Sequence, residues 1–258
     1  GAGLPMDLPR IAWESKVLLA PIISTEKSAR VILKYWGKRY RRMPDLLVIE
    51  GPKAGGHLGF TKEQLLEYGE EHGTDRTCGA YDEEVMRILG TVREYEEMSD
   101  CKIPTALGGG IENRSQAAHA FSLGVDAIQA ATRFVTTEEC DADIRYKEAY
   151  LHADEADIAI VKSPVGMPGR AIMNPFMKKV MAGEQIPHSP CHRCLHQCDP
   201  AEIPYCITDA LIHAAKGETD EALLFCGAYA YKAERLETVK EVIDSLIGES
   251  IIEVGKER

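Results

Sequence analysis

The chain has 258 residues, 45% of them apolar, enough for one sizeable core; this excludes a disordered tail, a small disulfide-stapled module and a collagen-like fibre. Thirty Lys and Arg against 41 Asp and Glu give a net charge of −11, which repels phosphate backbones unless basic groups are strongly segregated, so no nucleic-acid partner is expected. The longest apolar runs, such as Val17 to Ile23, fall far short of the ~18 residues that cross a bilayer, and no membrane partner is expected.

The chain opens with Gly1-Ala2-Gly3-Leu4-Pro5, with neither an initiator Met nor the charged-then-apolar pattern of a signal peptide, so its natural beginning is expected to lie outside this sequence. Short runs of branched apolar residues then alternate with amphipathic stretches: Val17 to Ile23, Leu46 to Ile49, Ile103 to Leu107 and Ala127 to Ala130. None shows polar alternation, as expected of strands buried on both faces, and the helical crossovers between them imply a parallel sheet. After the first run, Ala29, Ile32, Leu33, Trp36 and Tyr40 repeat at helical spacing behind a Thr25 cap. After the second, Thr61 and Gln64 have the spacing of a capping box. An insertion between Gly69 and Asp100 carries its own helix around Tyr81 to Met98. Asn113 caps the next helix, with Ala117, Ala120 and Phe121 inward and Gly124 ending it.

Beyond about residue 169 the character changes. Pro187, Pro190, Pro200 and Pro204 interrupt a Cys/His-rich segment, followed by helical patterns in which Leu236, Val239, Val242, Ile243, Leu246 and Ile247 form one stripe. The expected division is therefore 1–170, a βα domain, and 171–258, a cysteine-bearing helical appendage.

Each glycine cluster lies just past an expected strand: Gly55-Gly56 after Leu46 to Ile49, and Gly108-Gly109-Gly110 after Ile103 to Leu107. In parallel α/β folds this is the ligand-binding end, where glycine lets backbone amides approach a phosphate and the following helix points its positive end at the same spot. Ala131 and Thr132, ending the next strand, offer more amides and a hydroxyl. Two neighbouring strand ends sharing one phosphate is how barrel enzymes often anchor phosphorylated cofactors. His57, between Gly56 and Leu58, can exchange a proton near neutral pH, or can serve only to bond its own loop.

Cys191, Cys194, Cys198 and Cys206, spaced x2, x3 and x7 with His188, His192 and His196 interleaved, could surround zinc or hold an iron–sulfur cluster; unligated thiols in a turn-rich segment are the alternative. This packing of four of the eight cysteines suits a reduced compartment, and a cytoplasmic location is expected. Cys78, Cys101, Cys140 and Cys226 read as small buried hydrophobes. Arg133, Arg170 and Lys53 stand near these motifs, as cofactor or substrate contacts or as ordinary surface and ion-pair residues.

Together, Ala54-Gly55-Gly56-His57-Leu58-Gly59, Gly109-Gly110-Ile111, Gln129-Ala130-Ala131-Thr132-Arg133-Phe134 and Pro168-Gly169-Arg170 resemble the signature segments of nitronate monooxygenases, formerly 2-nitropropane dioxygenases, and of the related flavin-dependent enoyl-acyl-carrier-protein reductases. The resemblance spans roughly residues 1 to 175. It implies a (β/α)8 TIM barrel, present as its C-terminal portion, binding FMN with the phosphate near Gly109, Gly110, Ala131 and Thr132. Gly55 and Gly56 would line the cofactor, and His57 would stand beside the flavin ring as base or hydrogen-bonding partner while a nitronate gives electrons to the flavin. Reduced FMN then reacts with dioxygen, and the carbon product is a carbonyl compound.

Two departures accompany the resemblance. The family usually has Gly where Ala131 stands. Gly1 to Pro5 resembles the end of the family's fourth strand, so the earlier barrel strands are expected outside this sequence. A half barrel exposes sheet edges, and a homo-oligomer or a second chain completing the barrel is an expected partner besides the small-molecule substrate; an isolated piece would bind FMN poorly. The first functional reading is an FMN-dependent oxidoreductase acting on alkyl nitronates with dioxygen. The alternatives are NAD(P)H-dependent enoyl reduction and a non-catalytic metal-binding or electron-transfer module.

Overall fold

The computed structural model describes residues 3–68, 80–191, 193–194 and 198–248. Cys78, His192 and His196 lie outside the described residues. The chain divides into two compact units: Gly1–Pro52 with Gly59–Gln129, and Lys53–Leu58 with Ala130–Arg258.

The first unit is built on a four-stranded parallel sheet, β1 (Ile22–Ile23), β2 (Leu47–Glu50), β4 (Thr105–Gly108) and β5 (Ala127–Gln129), in the order β1-β2-β4-β5. Its strands are short, and Leu47, Ile49 and Ala106 are buried, as runs covered on both faces should be. A single turn of helix, α1 (Leu8–Ile11), precedes the sheet. The first expected strand shrinks to Ile22–Ile23. Upstream, Leu19 is held by a loop contact, its N–H on the Asp45 carboxylate at 2.7 Å, and Val17 and Leu18 are exposed. Pro21 has no N–H to give a ladder.

Helix α2 (Glu26–Tyr40) starts where Thr25 accepts the Ser28 N–H and Ser28 accepts the Thr25 N–H, a reciprocal cap with Ser in place of the usual acid. It stops where Arg41 turns left-handed at φ 51°. Ala29, Ile32, Leu33 and Trp36 are buried as their spacing predicts, whereas Tyr40 faces outward and donates its hydroxyl to Asp7 at 2.7 Å. Beside it runs α4 (Ala80–Ser99), the helix expected within the insertion. Tyr81 fixes the start of α4 by reaching the carbonyls of Ser24 (2.9 Å) and Glu50 (2.6 Å) at the C-terminal ends of two strands. Two further helices begin with capping boxes: α3 (Lys62–Glu67) with the expected Thr61–Gln64, and α5 (Arg114–Ser122) with the expected Asn113 cap, which Gln116 completes.

The second unit holds an antiparallel sheet of β3 (Gly56–His57), β7 (Pro168–Ile172) and β6 (Ile158–Lys162), with β7 central. One core cluster gathers Tyr150, Ala153, Ile172, Leu224 and Cys226; another gathers Val161, Ala171, Phe176, Met177, Tyr205, Ile207 and Leu223. Around them lie α6 (Thr132–Val135), α7 (Ile144–Leu151), α8 (Pro175–Met181), α9 (Ile207–Ala215) and α10 (Val239–Leu246). The second cluster takes residues from β6 and β7 and from the stretch that follows the cysteines, so the cysteine-bearing segment is anchored by ordinary apolar packing. Of the α10 stripe, Val242 and Leu246 are buried and Ile243 is exposed. Among the described residues, no helix is long and apolar enough to cross a membrane.

Candidate active site

The second unit brings Gly55, Gly56 and His57 together with residues far along the chain. Leu58 donates its N–H to the Pro168 carbonyl at 2.9 Å and Ala228 donates to Lys53 at 3.1 Å, so the segment 53–58 lies between β7 and the stretch 225–228. That stretch comes so close that a β-carbon on Gly55 would stand 2.6 Å from the Cys226 carbonyl carbon and 2.7 Å from the Gly227 nitrogen. Only glycine fits there. Gly56 differs: its φ is +74°, and a β-carbon on it would meet nothing within 4 Å, leaving open space on that side of the loop next to His57.

His57 is half-buried. Its Nε2 shares a hydrogen bond of 2.7 Å with the hydroxyl of Ser163, itself buried, and its ring meets Phe225 edge-on at 4.8 Å between centroids. Burial pushes the imidazole pKa below its usual 6.5, so the ring is held neutral and able to accept a proton. Arg170, 3% exposed, donates to the Ala54 carbonyl and so fixes the entry to the glycine pair from β7. Lys53 donates to the Tyr229 hydroxyl at 2.5 Å and stands over its ring. Arg133 pairs with Glu237 at 2.8 Å, the ion-pair alternative of the sequence reading.

Thr132, the first residue of α6, accepts the Gly227 N–H at 3.0 Å and keeps its own O–H to donate, while Ala131 precedes it as the helix cap. In the first unit, Gly109 and Gly110 follow β4 with φ of +94° and +83°, and α5 begins just beyond at Asn113. Left-handed glycines let the backbone approach a ligand closely. Gly51 is drawn tightly against this turn, its N–H on the Gly108 carbonyl at 2.7 Å. Sequence reasoning missed Phe225, Cys226, Gly227 and Ser163. The signal for the first three was present, since Leu223-Leu224-Phe225 is an apolar run ending in a glycine, the same pattern that marked the other segments.

A family model described as nitronate monooxygenase matches residues 3–249. The chain belongs to the nitronate monooxygenase family. Among similar proteins, a probable nitronate monooxygenase of Staphylococcus saprophyticus is 27% identical over 148 residues, 57% of this chain and 37% of that protein. The putative monooxygenase Rv1533 of Mycobacterium tuberculosis is 24% identical and is matched by 98% of this chain, which covers 58% of it. The chain therefore spans between about a third and three-fifths of the length of these two relatives.

Among solved structures, FabK from Thermotoga maritima superposes with a TM-score of 0.68 at 22% identity, over 100% of this chain and 68% of that one. A nitroalkane oxidase from Streptomyces ansochromogenes gives 0.62 at 21%, over 98% of this chain and 62% of that one. This likeness places the nitronate monooxygenase-family chain in the α/β class with a parallel sheet, the TIM-barrel type expected from its sequence.

The four cysteines of 191–206 are all free thiols. Cys191 and Cys194 are exposed, Cys198 is half-buried and Cys206 is buried. Desolvation pushes the Cys198 thiol up, and Cys191, Cys194 and Cys206 add to the effect from nearby. Among the described residues, the one trio of His, Cys, Asp or Glu with ligand atoms all within 4.8 Å is His213, Glu218 and Glu221 on the surface. Of the scattered cysteines, Cys226 is buried as expected, its thiol pushed up by burial to about 12, whereas Cys101 is exposed and Cys140 lies between.

Proposed function

We propose that this chain is the FMN-binding portion of an oxidoreductase that oxidises alkyl nitronates with dioxygen to carbonyl compounds. The observation that carries the reading is His57, held by Ser163 and set beside the open side of Gly56. FMN, when bound, supplies the electron transfer and the reaction with dioxygen. The residues present suit it: nothing stands within 4 Å of where a β-carbon on Gly56 would lie, and Gly109 and Gly110 have the left-handed backbone that lets a chain approach a ligand closely. Phosphate contacts at Gly109, Gly110, Ala131 and Thr132 are assigned through the family resemblance.

His57 has two tasks in this reading. Its neutral ring takes a proton from the carbon next to a nitro group, or hydrogen-bonds an oxygen of a nitronate that arrives already deprotonated. Ser163 holds the ring through Nε2, and Phe225 packs against it. Thr132 offers a hydroxyl donor to an anionic group. The cofactor expected at Cys191, Cys194, Cys198 and Cys206, iron–sulfur or zinc, supplies no step of this reaction.

The test is a titration of the purified full-length protein with FMN, followed by ethyl nitronate in an oxygen electrode. The expected result is quenched flavin fluorescence on binding, then oxygen uptake with release of aldehyde, and a loss of about 10²-fold or more in His57→Asn with FMN binding retained. No FMN uptake ends the reading. Faster flavin reduction by NAD(P)H than by nitronate transfers it to enoyl reduction.

A further inference from the structure

The C-terminal end of α9 gathers three side chains of metal-binding type. His213 pairs through Nδ1 with Oε2 of Glu218, and the same nitrogen stands 3.8 Å from Oε2 of Glu221. One ligand atom from each of the three residues lies within 4.8 Å of the other two. Bonds of about 2.1 Å to nitrogen and oxygen set ligand atoms about 3.0–3.5 Å apart around one ion, so shifts of about 1 Å close the set. The side chain of Glu218 is 44% exposed and that of Glu221 73%, so their carboxylates can move that far without disturbing a core.

The backbone brings them together. Glu218 donates its N–H to the His213 carbonyl at 2.9 Å, Gly217 donates to Ala214 at 3.0 Å, and Gly217 has a φ of +71°. This is the Schellman ending of a helix, which sets His213 and Glu218 against each other. An apolar pair often fills those two places, and here an imidazole and a carboxylate do. Glu221 then donates its N–H to the Glu218 carbonyl at 3.0 Å in the 3-10 turn Thr219–Glu221, where side chains three apart eclipse. Neighbouring carboxylates repel and the carbonyl end of a helix is negative, so a cation here relieves both. Arg145 brings positive charge to the same turn, but it is tied to Asp143 at 2.9 Å and to the Lys216 carbonyl at 2.7 Å.

A second observation points to a ligand at the same place. His213, Asp220 and Glu221 line a cavity of about 670 Å³ together with Lys179 and Tyr205. Tyr205 is 1% exposed, and its hydroxyl has no hydrogen-bond partner among the described residues. A buried hydroxyl left without a protein partner costs stability, which an occupant of polar chemistry offsets. Three protein ligands leave an ion with coordination positions for water or for an anion lodged in that cavity.

We propose that His213, Glu218 and Glu221 bind one divalent transition-metal ion, whose remaining positions open to this cavity. Imidazole beside carboxylates suits ions such as Mn2+, Fe2+ and Zn2+ better than Ca2+, whose sites are built from oxygen. The ion replaces the proton on Nδ1, which passes to Nε2 or to solvent, and nothing is oxidised or reduced. None of the three ligands belongs to the Gly55–His57 segment, so the proposal goes beyond the flavin reading and holds or fails separately from it. The rival is a His213 imidazolium that neutralises the two carboxylates unaided.

The test is a titration of the full-length protein with Mn2+, with the free ion counted by electron paramagnetic resonance at mildly alkaline pH, where protons compete least for the imidazole. Thiolates favour softer ions than Mn2+, which keeps the cysteines out of the readout. The expected result is a saturable class of about one Mn2+ per chain, displaced by Zn2+ and not by Ca2+, with faster relaxation of water protons from the open positions. Glu221→Gln and His213→Gln should each weaken that class by about tenfold or more, and Glu221→Gln should do so at an unchanged melting temperature. Asp220→Asn removes the same charge from the same cavity without removing a ligand, and should weaken binding by less than about threefold. No saturable class, parental affinity in Glu221→Gln, or equal losses in Glu221→Gln and Asp220→Asn overturns the proposal, the last by showing attraction through charge alone.

Discussion

Replacing Gly55 by Ala places a methyl group roughly 0.8 Å inside ordinary contact distance from the backbone of Cys226 and Gly227. Neither neighbour can yield as a side-chain tip would. The Cys226 N–H is bonded to the Arg170 carbonyl at 3.1 Å, and the Gly227 N–H to Thr132. Overpacking of this kind costs about 1–3 kcal/mol. At about 2–4 °C per kcal/mol for a chain of this size, Gly55→Ala should lower the melting temperature by about 4–8 °C near the middle of that range. Calorimetry of parent and variant is the assay, with the imidazole proton resonances of His57 as a second readout, since a displaced segment alters its contacts with Ser163 and Phe225. A variant that melts within a degree of the parent with unchanged His57 resonances would refute the claim that close backbone approach, and not chain flexibility, demands glycine here.

Gly90 is the opposite case: it lies inside α4 with nothing within 4 Å of where a β-carbon would stand, so Gly90→Ala should stabilise by about 0.5–1 kcal/mol, read as a higher denaturant midpoint. Tyr205 is buried with a hydroxyl that has no hydrogen-bond partner among the described residues, and its ring sits edge-on to Phe176 at 5.1 Å; Tyr205→Phe keeps the ring and should leave stability unchanged or raise it by about 1 kcal/mol, whereas a loss of that size would show that the hydroxyl is bonded. For His57, burial lowers the folded pKa, so the unfolded chain binds the proton first. Its contribution to stability is complete above pH of about 6.5 and drains away as pH falls from there through the lower folded value. A titration of the ring by nuclear magnetic resonance should give a midpoint below 6.5, and one at or above it would contradict the assignment. Ser163→Ala removes the partner of His57 and should cost about 1 kcal/mol in a denaturant series.

The sequence was most readable where a local rule and the tertiary structure agree. Thr25, Thr61 and Asn113 cap helices because their side chains satisfy amides within three residues, a contact that depends on nothing distant. The runs at 46–49 and 103–107 become strands with a neighbour on each side and 127–130 pairs with the latter, whereas the Val17 end of the first run has Asp45 and solvent for neighbours. The β6–β7 hairpin was less visible: Pro168 opens a strand, and the pairing of β7 with Gly56 and His57 joins segments more than a hundred residues apart. The same distance explains the site. His57 and its glycines were legible from their own loop, but Ser163, Phe225 and Gly227 acquire meaning only when the chain returns to them. Arg170 looked like a cofactor contact or a surface residue, and it is a buried clasp on Ala54.

Phe225 binds two requirements into one position. Its carbonyl receives the hydroxyls of Tyr150 (2.5 Å) and Tyr146 (3.4 Å) from α7, while its ring lies against His57 and 2.8 Å from where a β-carbon on Gly169 would stand. In descendants of this chain, positions 169 and 225 can therefore drift only as a pair: any larger residue at the first obliges a smaller or tilted one at the second, and the imidazole inherits whatever vacancy that exchange creates.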